Sequence, residues 1–592
     1  MSIAILSIFS LLPIIAVAVF LVVLRWPASR AMPICYLVAA ALVLYVWKVP
    51  YVKVAAASVN GLVIAITLLL IIFGAILLLN TLRASGALAA IRKGFTDISA
   101  DRRIQVIIIA WLFGALMEAV AGFGTPAAIC VPLLVGLGFP PMAAVVSGMI
   151  IQSTCVSFGA AGTSILIGIH NGLFAEEAVH KYASSIGVND WHNFLSLIGV
   201  KIALLHALAG VFIPLILVSF LTRFYGPKKS FSDGLRVWKF AIFAALAMII
   251  PYVVVAWTLG PEFPTLFGSL VGLAVVTTAA RKGFLTPPKE QCWDFDKKQS
   301  WNPEWSGSIE INLDENNNKN ISLKKAWCPY LLVVLLLFLT RWKALPLLKL
   351  VKSWTLILPN LFDTDITASF QPLYSPGTIF ILVSFITYFL HKIDAVSYKR
   401  AWLDSVKTTI AASTALIFTV PMVQVFINSN GGAAGFAKMP VALAEGIAAL
   451  AGSAWPIFAA FIGGIGAFVA GSNTISNMMF SLFQFDVGQR IGVDPTWIVA
   501  LQAVGGAAGN MICVHNVVAA SAVVGLLGRE GLVIRKTLLP FVYYSLLAGG
   551  VGYSIVWFSQ RGLLNLGTVI AVSIIAAVVG VIRHGTKKHI TV

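Results

Sequence analysis

Long apolar runs alternate with short polar connections along almost the whole chain. A helix needs about 20 apolar residues to cross a hydrocarbon layer about 30 Å thick, because each helical residue rises about 1.5 Å. Several of the longer runs are interrupted by Gly and Pro. The pattern predicts an all-α polytopic membrane protein with roughly twelve to fourteen transmembrane helices, some of them broken or re-entrant. The candidate spans are residues 3–24, 32–50, 55–80, 104–135, 141–169, 193–222, 237–258, 263–280, 327–345, 375–391, 408–428, 455–485, 496–528, 535–558 and 565–583.

A long polar stretch divides the chain into two transmembrane halves. The N-terminal half covers residues 1–280 and the C-terminal half covers residues 327–592. The stretch between them, residues 281–326, includes three consecutive asparagines at 316–318 and lacks an apolar run. We interpret it as a cytoplasmic connector between the halves, partly disordered.

Lys and Arg cluster in alternate connections, which predicts the orientation of the spans. Cytoplasmic connections are enriched in these residues, so we place 83–103, 223–239, 392–407, 529–536 and the C-terminal tail in the cytoplasm. The acidic segment 170–192 is then outside. The first apolar run is followed, not preceded, by positive charge, which predicts a spanning helix with its N-terminus outside rather than a cleaved signal. Four basic residues fall on the outer side of this scheme, which we attribute to misplaced span boundaries: Arg341, Lys343, Lys349 and Lys352.

Composition agrees with a membrane protein and removes several other classes. Hydrophobic residues make up 59% of the chain and charged residues 11%, with a mean hydropathy of +0.92, far from a water-soluble globular protein. The net charge of +18 resides in short connections, so it meets membrane lipid rather than nucleic acid. The six cysteines are dispersed and form no C-x-x-C pair, so we expect no disulfide framework, zinc site or other cofactor.

Two regions of the chain share one order of features. Residues 104–169, in the N-terminal half, and 455–528, in the C-terminal half, each contain a small-residue turn ending in Thr, a short apolar helix, a proline-containing loop and a second helix interrupted by a Gly/Ala cluster. We interpret them as two copies of one unit. The corresponding positions are Gly122 with Gly471, Thr125 with Thr474, Pro141 with Pro495, and 159–162 approximately with 506–509.

The two units are predicted to be inserted in opposite orientations. The first follows the basic segment 81–103 and ends in the acidic segment 170–192, whereas the second follows the Lys-poor segment 429–453 and ends in the basic segment 529–536. Gly/Pro-interrupted helices at matching positions of inverted repeats form the substrate sites of secondary transporters near the bilayer midplane. Tight helix packing also favours small residues, but it does not explain Ser-Asn-Thr at a helix break.

The turns are the candidate binding site. Unpaired backbone at membrane depth requires a polar partner, and the free N–H groups at the start of a half-helix favour a carboxylate. We therefore expect an anion between the two turns, with the two halves rocking around it. The candidate substrate-binding residues are Gly122, Phe123, Gly124 and Thr125 in the first turn, Gly471, Ser472, Asn473 and Thr474 in the second, and Gln152, Ser153, Asn477, Asn510 and Asn516 near the breaks.

Three of the ionisable residues at membrane depth are candidate site residues. Glu118, one helical turn before Gly122, is a candidate proton carrier, or alternatively a permanently neutral carboxyl that braces the broken helix. His515 is a candidate for proton relay or substrate contact, or alternatively a structural histidine. Lys201 is placed to neutralise the bound carboxylate or to extend toward the outer surface.

Three stretches resemble the lactate permease family. They are MEAVAGFGTP at 117–126, GSNT at 471–474 and GNMICVHNVVAAS at 509–521. The resemblance covers nearly the whole chain. It implies import of L-lactate, with D-lactate and glycolate as related substrates, by proton symport across the bacterial inner membrane. The Ser472-Asn473-Thr474 turn also resembles hairpin tips of the broader ion-transporter superfamily, where such turns bind substrate carboxylate or sodium.

Other functions remain as alternatives at this stage. The second unit has Ile475 where Pro126 stands in the first, and it has no carboxylate matching Glu118, so only the first unit is equipped to handle a proton. A sodium-coupled transporter of another small mono- or dicarboxylate is the main alternative to a proton symporter. A passive channel is another. An enzyme is not expected, because neither H-E-x-x-H nor G-x-S-x-G occurs.

Overall fold

The fold consists almost entirely of helices. In a computed structural model of the chain, the described residues are 1–24, 26–122, 124–174, 176–307, 321–341 and 345–587. Within these ranges, 13 helices are long and apolar enough to cross a membrane, or 14 if the bent pair Val156–Leu173 and Glu177–Ser185 is one span. The prediction of an all-α polytopic membrane protein with twelve to fourteen crossings is therefore confirmed.

The helices of the two halves are separated by the polar stretch. The α-helices of the N-terminal half are Ile3–Val17, Ala28–Ala41, Tyr51–Ala84, Ala87–Ile98, Arg102–Val106, Gly114–Ala121, Thr125–Gly136, Pro141–Ile150, Gly159–Thr163, His170–Leu173, Glu177–Ser185, Trp191–Gly210, Ile213–Tyr225, Phe231–Leu235, Trp238–Thr258 and Pro264–Arg281. Those of the C-terminal half are Leu323–Arg341, Pro346–Ser353, Pro376–Leu390, Ala395–Ile427, Met439–Ala451, Trp455–Ala470, Asn473–Arg490, Pro495–Gly509, Val514–Ala522, Glu530–Val556, Phe558–Arg561 and Leu566–Lys587.

Shorter elements complete the fold. The π-helical segments are Ala18–Val23, Leu42–Val46, Ile107–Phe113 and Ser164–Ile169. The 3₁₀ turns are Val156–Phe158, Lys289–Gln291, Lys298–Ser300, Pro303–Trp305, Leu361–Asp363 and Gly452–Ala454. Two three-residue strands, Leu356–Leu358 and Ala368–Phe370, pair antiparallel with Leu356 opposite Phe370.

The first unit folds into a hairpin followed by a broken helix. Helices Gly114–Ala121 and Thr125–Gly136 pack against each other on either side of residues 122–124. We call this pair hairpin 1, with Gly122 and Gly124 as its tip. The next helix, Pro141–Ile150, is separated from the segment Ser164–Ile169 by irregular backbone at 151–163, which we call break 1.

The second unit has the same arrangement. Helices Trp455–Ala470 and Asn473–Arg490 form hairpin 2, with residues 471–472 as its tip. They run antiparallel, since the indole of Trp455 donates to Gln484 Oε1 near the base of the hairpin, while Ser476 lies against Gly466 near the tip. Helix Pro495–Gly509 then ends at residues 510–513, which we call break 2, and the chain continues as Val514–Ala522.

One part of the predicted correspondence between the units is wrong. Residues 159–162 lie within break 1, where Ala160, Ala161 and Gly162 have positive φ. Residues 506–509 instead form the regular last turn of helix Pro495–Gly509, and the second unit breaks after them. The reason is packing: Gly505 and Gly509 lie directly against the backbone of hairpin 2, so these glycines permit close approach rather than a turn.

The two hairpins open toward opposite surfaces of the membrane protein. The base of hairpin 1, at Leu137, accepts a hydrogen bond from Arg102, which also pairs with Asp294 of the polar stretch. The base of hairpin 2, at Asp494, instead accepts a hydrogen bond from Tyr182. We call the surface at which residues 289–306 pack the loop face. The two units are thus inverted repeats, as the charge pattern predicts.

A helix pair that connects the two surfaces shows that they are distinct. Residues Trp191–Tyr225 form a 35-residue apolar helical stretch. Lys201, in its first half, pairs with Asp494 at the base of hairpin 2. Tyr225, at its other end, packs its ring on Trp305 at the loop face. The stretch therefore runs from the base of hairpin 2 to the loop face.

The two ends of the described chain also lie on different surfaces. Ser7 donates to Leu443 in the helix Met439–Ala451 that leads to the base of hairpin 2. Gly585 packs against Leu235, close to the loop face. The first helix thus begins on the surface opposite the loop face and the last helix ends on the loop face.

The predicted span 327–345 ends earlier in the structure, because its helix Leu323–Arg341 stops at the first of the basic residues that conflict with the charge scheme. Lys349 and Lys352 are in the helix Pro346–Ser353, which precedes the short strand pair. Asp365, between the strands, pairs with Lys53 at the start of the helix Tyr51–Ala84, on the surface opposite the loop face. This segment forms a small cap on that surface. Lys343 lies outside the described residues.

Candidate functional site

A polar cavity lies where the two hairpin tips meet the two helix breaks. Its lining contains one carboxyl group and, among these described residues, no lysine, arginine or histidine. All four irregular segments of the inverted repeats contribute to it. The lining residues are Glu118, Gly122, Gly124, Gln152, Val156, Gly159, Ala160, Thr163, Ser164, Gly471, Ser472, Asn473, Thr474, Asn510 and Asn516.

The tip of hairpin 1 starts a half-helix at the cavity. Gly122 and Gly124 have φ of +63° and +76°, conformations that favour glycine, and they end one helix and begin the next. Pro126 occupies the first turn of the helix Thr125–Gly136, where its missing N–H costs nothing. The free amides and positive dipole end of this helix therefore face the site.

The tip of hairpin 2 does the same from the other side. Gly471 has φ of +78° and ends the first helix, and the side chain of Ser472 accepts a hydrogen bond from the amide of Thr474. Ser472 thus caps the start of the helix Asn473–Arg490. Two helix N-termini on opposite sides of one cavity favour an anion, each by about 0.3–1 kcal/mol.

Three amide side chains connect the two breaks across the cavity. Asn516 Nδ2 donates to Gln152 Oε1 at 3.2 Å and to Asn510 Oδ1 at 3.3 Å. Because both acceptors are oxygens, they fix the orientation of the Asn516 carboxamide, with its own oxygen close to Gly124. Hydrogen bonds from Asn516 therefore join break 1 to break 2 in one wall, and the tip of hairpin 1 packs beside it.

The start of hairpin 2's second helix is bonded to break 1. Asn473 Nδ2 donates to Ser157 Oγ at 3.4 Å, and the hydroxyls of Thr474 and Ser164 lie 3.4 Å apart. Asn477 Nδ2 donates to the carbonyl of Ser164 at 3.1 Å, so it supports the wall from outside the cavity lining. The second unit is thereby positioned directly on the first.

Glu118 places a carboxyl group without a compensating partner at the cavity. It is 3% exposed, and its Oε2 has no hydrogen-bond partner in the described structure. Its other oxygen lies against Gly159, where an added Cβ would come within 2.5 Å of it. A charged carboxylate at membrane depth costs at least about 2.5–3.5 kcal/mol. Burial without a partner therefore favours the neutral form of this carboxyl over the charged form.

His515 lies behind the tip of hairpin 2 rather than in the cavity lining. Its ring fills the space in which a Gly471 side chain would stand. It also borders an apolar crevice formed with Val17, Val423 and Phe468. This geometry supports the structural interpretation of His515 as a brace for the tip more directly than a role in substrate contact.

Lys201 and Ser153 are not brought into the cavity. The ammonium of Lys201 contacts Asp494 and Thr496 at the base of hairpin 2, and it lies 5.1 Å from the centre of the Trp497 ring. Ser153 is buried in break 1 and donates to the carbonyl of Ile150. Phe123 lies outside the described residues, and Thr125 is placed only by its backbone, as the first residue of its helix.

Comparison with known proteins identifies the family. The model of the L-lactate permease family matches residues 6–558. The chain belongs to the L-lactate permease family. It is 30% identical to a Haemophilus influenzae protein provisionally named L-lactate permease, over 84% of this chain and 88% of that protein. It is 27% identical to the glycolate permease GlcA of Escherichia coli, over 91% and 94%, and 25% identical to the L-lactate permease of Escherichia coli, over 93% and 96%.

Several lining residues of this L-lactate permease family member were not among the predicted site residues. Val156, Gly159, Ala160 and Thr163 come from break 1, and Ser164 is the first residue of the segment that follows it. The Gly-Ala-Ala-Gly cluster at 159–162 indicates this part of the site in the sequence, because it interrupts an apolar helix as the two tips do. Elsewhere in the described part of the chain, no group of three or more His, Cys, Asp or Glu residues is arranged to hold a metal ion.

Replacing Asn516 with aspartate is expected to weaken L-lactate binding by at least about tenfold. The carboxylate has no hydrogen to donate to Gln152 and Asn510, and it adds negative charge beside the anion site. Isothermal titration calorimetry of the purified protein measures the effect. Asn193→Asp, which adds the same charge at an exposed position, is the matched control. Equal affinities for both variants would contradict a role for the amide wall.

Proposed function

We propose that this protein is a secondary active transporter that imports L-lactate, and also D-lactate and glycolate, by proton symport across the bacterial inner membrane. The observation that carries the proposal is one cavity, formed by both hairpin tips and both breaks, with a single uncompensated carboxyl in its lining. Membership of the L-lactate permease family supports lactate as substrate. The names of its lactate and glycolate permease relatives support small hydroxymonocarboxylates as the substrate class.

In the proposed mechanism, backbone dipoles compensate the negative charge of the anion. The carboxylate of lactate is held between the N-termini of Thr125–Gly136 and Asn473–Arg490, since no basic side chain lines the cavity in the described structure. The amides and hydroxyls around it hydrogen-bond the α-hydroxyl. Rocking of the two inverted units about this site exposes it to one surface and then the other.

Glu118 is the proposed proton carrier. A protonated carboxyl and a bound anion are compatible neighbours, whereas a carboxylate and the anion repel each other at close range. Binding of lactate therefore requires protonation of Glu118, and release of lactate permits its deprotonation. The same carboxyl lines the site in its inward-facing and its outward-facing state. The proton and the anion therefore cross the membrane together.

The loop face is proposed to be cytoplasmic. Arg102, Arg103 and Arg529 all lie on it, in contact with residues of the polar stretch or beside them. The basic clusters of cytoplasmic connections then coincide with this face, and the N-terminus lies outside. Lys349 and Lys352 of the cap lie on the other surface, as Lys53 does. There they present positive charge to an anion that approaches from outside.

A sodium-coupled carboxylate transporter is the second candidate. Asn473 Oδ1 and Asn477 Oδ1, near the tip of hairpin 2, are buried without a hydrogen-bond partner. Carboxamide and carbonyl oxygens are ligands for hard cations. This arrangement is compatible with a sodium ion beside the anion.

Uptake into proteoliposomes of purified protein separates these functions. We expect radiolabelled L-lactate to accumulate when the outside is made acidic, to stop accumulating with a protonophore, and to be indifferent to a sodium gradient at constant pH. Accumulation driven only by sodium would replace the proton mechanism by the sodium alternative. Failure of internal unlabelled lactate to drive counterflow would instead indicate a channel.

A further inference from the structure

A chain of buried hydrogen bonds runs from the cavity into the surrounding helices. Asn473 Nδ2 lies 3.4 Å from Ser157 Oγ, Ser157 Oγ lies 2.8 Å from His206 Nε2, and His206 Nδ1 lies 2.6 Å from the hydroxyl of Tyr544. The Tyr544 hydroxyl lies 3.0 Å from Thr154 Oγ1. All five residues are at most 1% exposed. The chain therefore joins the tip of hairpin 2, break 1 and two long helices.

One assignment of the protons gives every donor an acceptor. Thr154 donates to Tyr544, Tyr544 donates to His206 Nδ1, His206 donates from Nε2 to Ser157, and Ser157 donates to the carbonyl of Ala503 at 3.2 Å. If every donor and acceptor were exchanged, the Thr154 hydroxyl would have no acceptor within this series of hydrogen bonds. His206 is therefore neutral, with its hydrogen on Nε2. Because the chain ends on a backbone carbonyl, it holds positions and does not conduct a proton.

This assignment determines how Asn473 is held. The hydrogen of Ser157 is committed to Ala503, so Ser157 Oγ accepts from Asn473 on one side and from His206 on the other. Asn473 is the first residue of the helix Asn473–Arg490 and lines the cavity. Its own oxygen lies against Gly506, where a Cβ would have no room. The Asn473 side chain is therefore constrained by Ser157 on one side and by Gly506 on the other.

We propose that His206 is a positioning residue for substrate binding, which acts through Ser157 to hold Asn473 and the start of its half-helix against break 1. The proposal rests on the proposed function, in which this helix start binds the carboxylate of a hydroxymonocarboxylate. It assigns a role to a membrane histidine that does not touch the cavity. It also explains why His206 and Tyr544, on different helices, are bonded to each other and to two hydroxyls of break 1, those of Ser157 and Thr154.

The expected consequence of losing His206 is weaker binding rather than altered proton coupling. His206→Leu removes both hydrogen bonds at similar volume and leaves Ser157 held only by Ala503 and Asn473, so we expect the dissociation constant for L-lactate to rise about tenfold. His206→Gln keeps a donor for Ser157 and is expected to stay within about threefold of the unchanged protein. The pH dependence of uptake is expected to be the same in all three, because His206 remains neutral.

A double-mutant cycle in nanodiscs tests whether His206 acts through Asn473. If it does, His206→Leu weakens lactate binding in the unchanged protein but has no further effect in an Asn473→Ala background. Ser157→Ala, a smaller change, is expected to give the same non-additive pattern and serves if His206→Leu folds poorly. His391→Leu is the matched control, since His391 is also buried, contacts Lys325 at the loop face, and lies away from the cavity.

Each outcome has a distinct meaning. Additive effects of His206→Leu and Asn473→Ala, equal weakening by His391→Leu, or a shifted pH dependence of uptake in His206→Gln would overturn the positioning role. Unchanged affinity in both His206→Leu and Ser157→Ala would overturn it as well. Absence of L-lactate binding by the unchanged protein would instead overturn the proposed function on which it rests.

Discussion

Replacing Gly471 with alanine is expected to lower L-lactate uptake by at least about 100-fold, equivalent to about 2.7 kcal/mol. Gly471 has φ of +78°, which costs a side-chain-bearing residue about 1–2 kcal/mol. The added Cβ would also overlap the ring of His515, and overpacking in a buried position costs typically about 1–3 kcal/mol. The tip of hairpin 2 must therefore move away from the cavity. Initial uptake rates in proteoliposomes, normalised to folded protein, measure the loss.

A second glycine separates backbone strain from displacement of the tip. Gly187 has φ of +80°, nearly that of Gly471, but no atom lies within 4 Å of its hypothetical Cβ. Gly187→Ala therefore carries the same backbone penalty without the collision, and uptake is expected to remain within about threefold of the unchanged protein. If Gly471→Ala transported as well as Gly187→Ala, the tip would not be part of the binding site.

Replacing Glu118 with glutamine is expected to abolish accumulation of lactate by a proton gradient, with a fall of at least about 100-fold. Glutamine has nearly the shape of a protonated carboxyl but cannot exchange its hydrogens as an acid. Lactate should still bind, because the variant resembles the protonated form that the anion requires. Counterflow of lactate at equal pH on both sides is therefore expected to continue within about threefold of the unchanged rate.

A second buried glutamate provides the control for this variant. Glu530 is 1% exposed, but its two oxygens accept hydrogen bonds from the amides of Gly528 and Ala28, far from the cavity. Glu530→Gln loses one of these bonds, so the protein is expected to be less stable while uptake stays proton-driven. Proton-driven accumulation that survives in Glu118→Gln would assign Glu118 the alternative role of a neutral brace.

Much of this architecture follows from local patterns in the sequence. The spans are set by the length of apolar runs, and the inverted insertion of the two units by the distribution of Lys and Arg. The turns at Gly122–Gly124 and Gly471–Ser472 are signalled by glycines and hydroxyl residues inside apolar helices. These features depend on neighbours in the chain and on the membrane, so they can be read without tertiary structure.

The remaining features depend on contacts between distant parts of the chain. A Gly/Ala cluster marks a break at 159–162 but close packing at 506–509, and the difference lies in which helix packs against the glycines. Lys201 pairs with Asp494, about 290 positions later in the chain, and therefore does not reach the cavity. His206 reaches Asn473 through Ser157, and its other ring nitrogen is bonded to Tyr544, more than 330 positions later in the chain. Local periodicity carries none of this information.

The most direct test of the central claim is an experimental structure of the protein with L-lactate bound, determined by cryo-electron microscopy in nanodiscs. We expect density for the anion between the two hairpin tips, with its carboxylate within hydrogen-bond distance of the amides that begin Thr125–Gly136 and Asn473–Arg490. Lactate bound elsewhere, or hairpin tips that lie apart with unbroken helices in their place, would contradict the account.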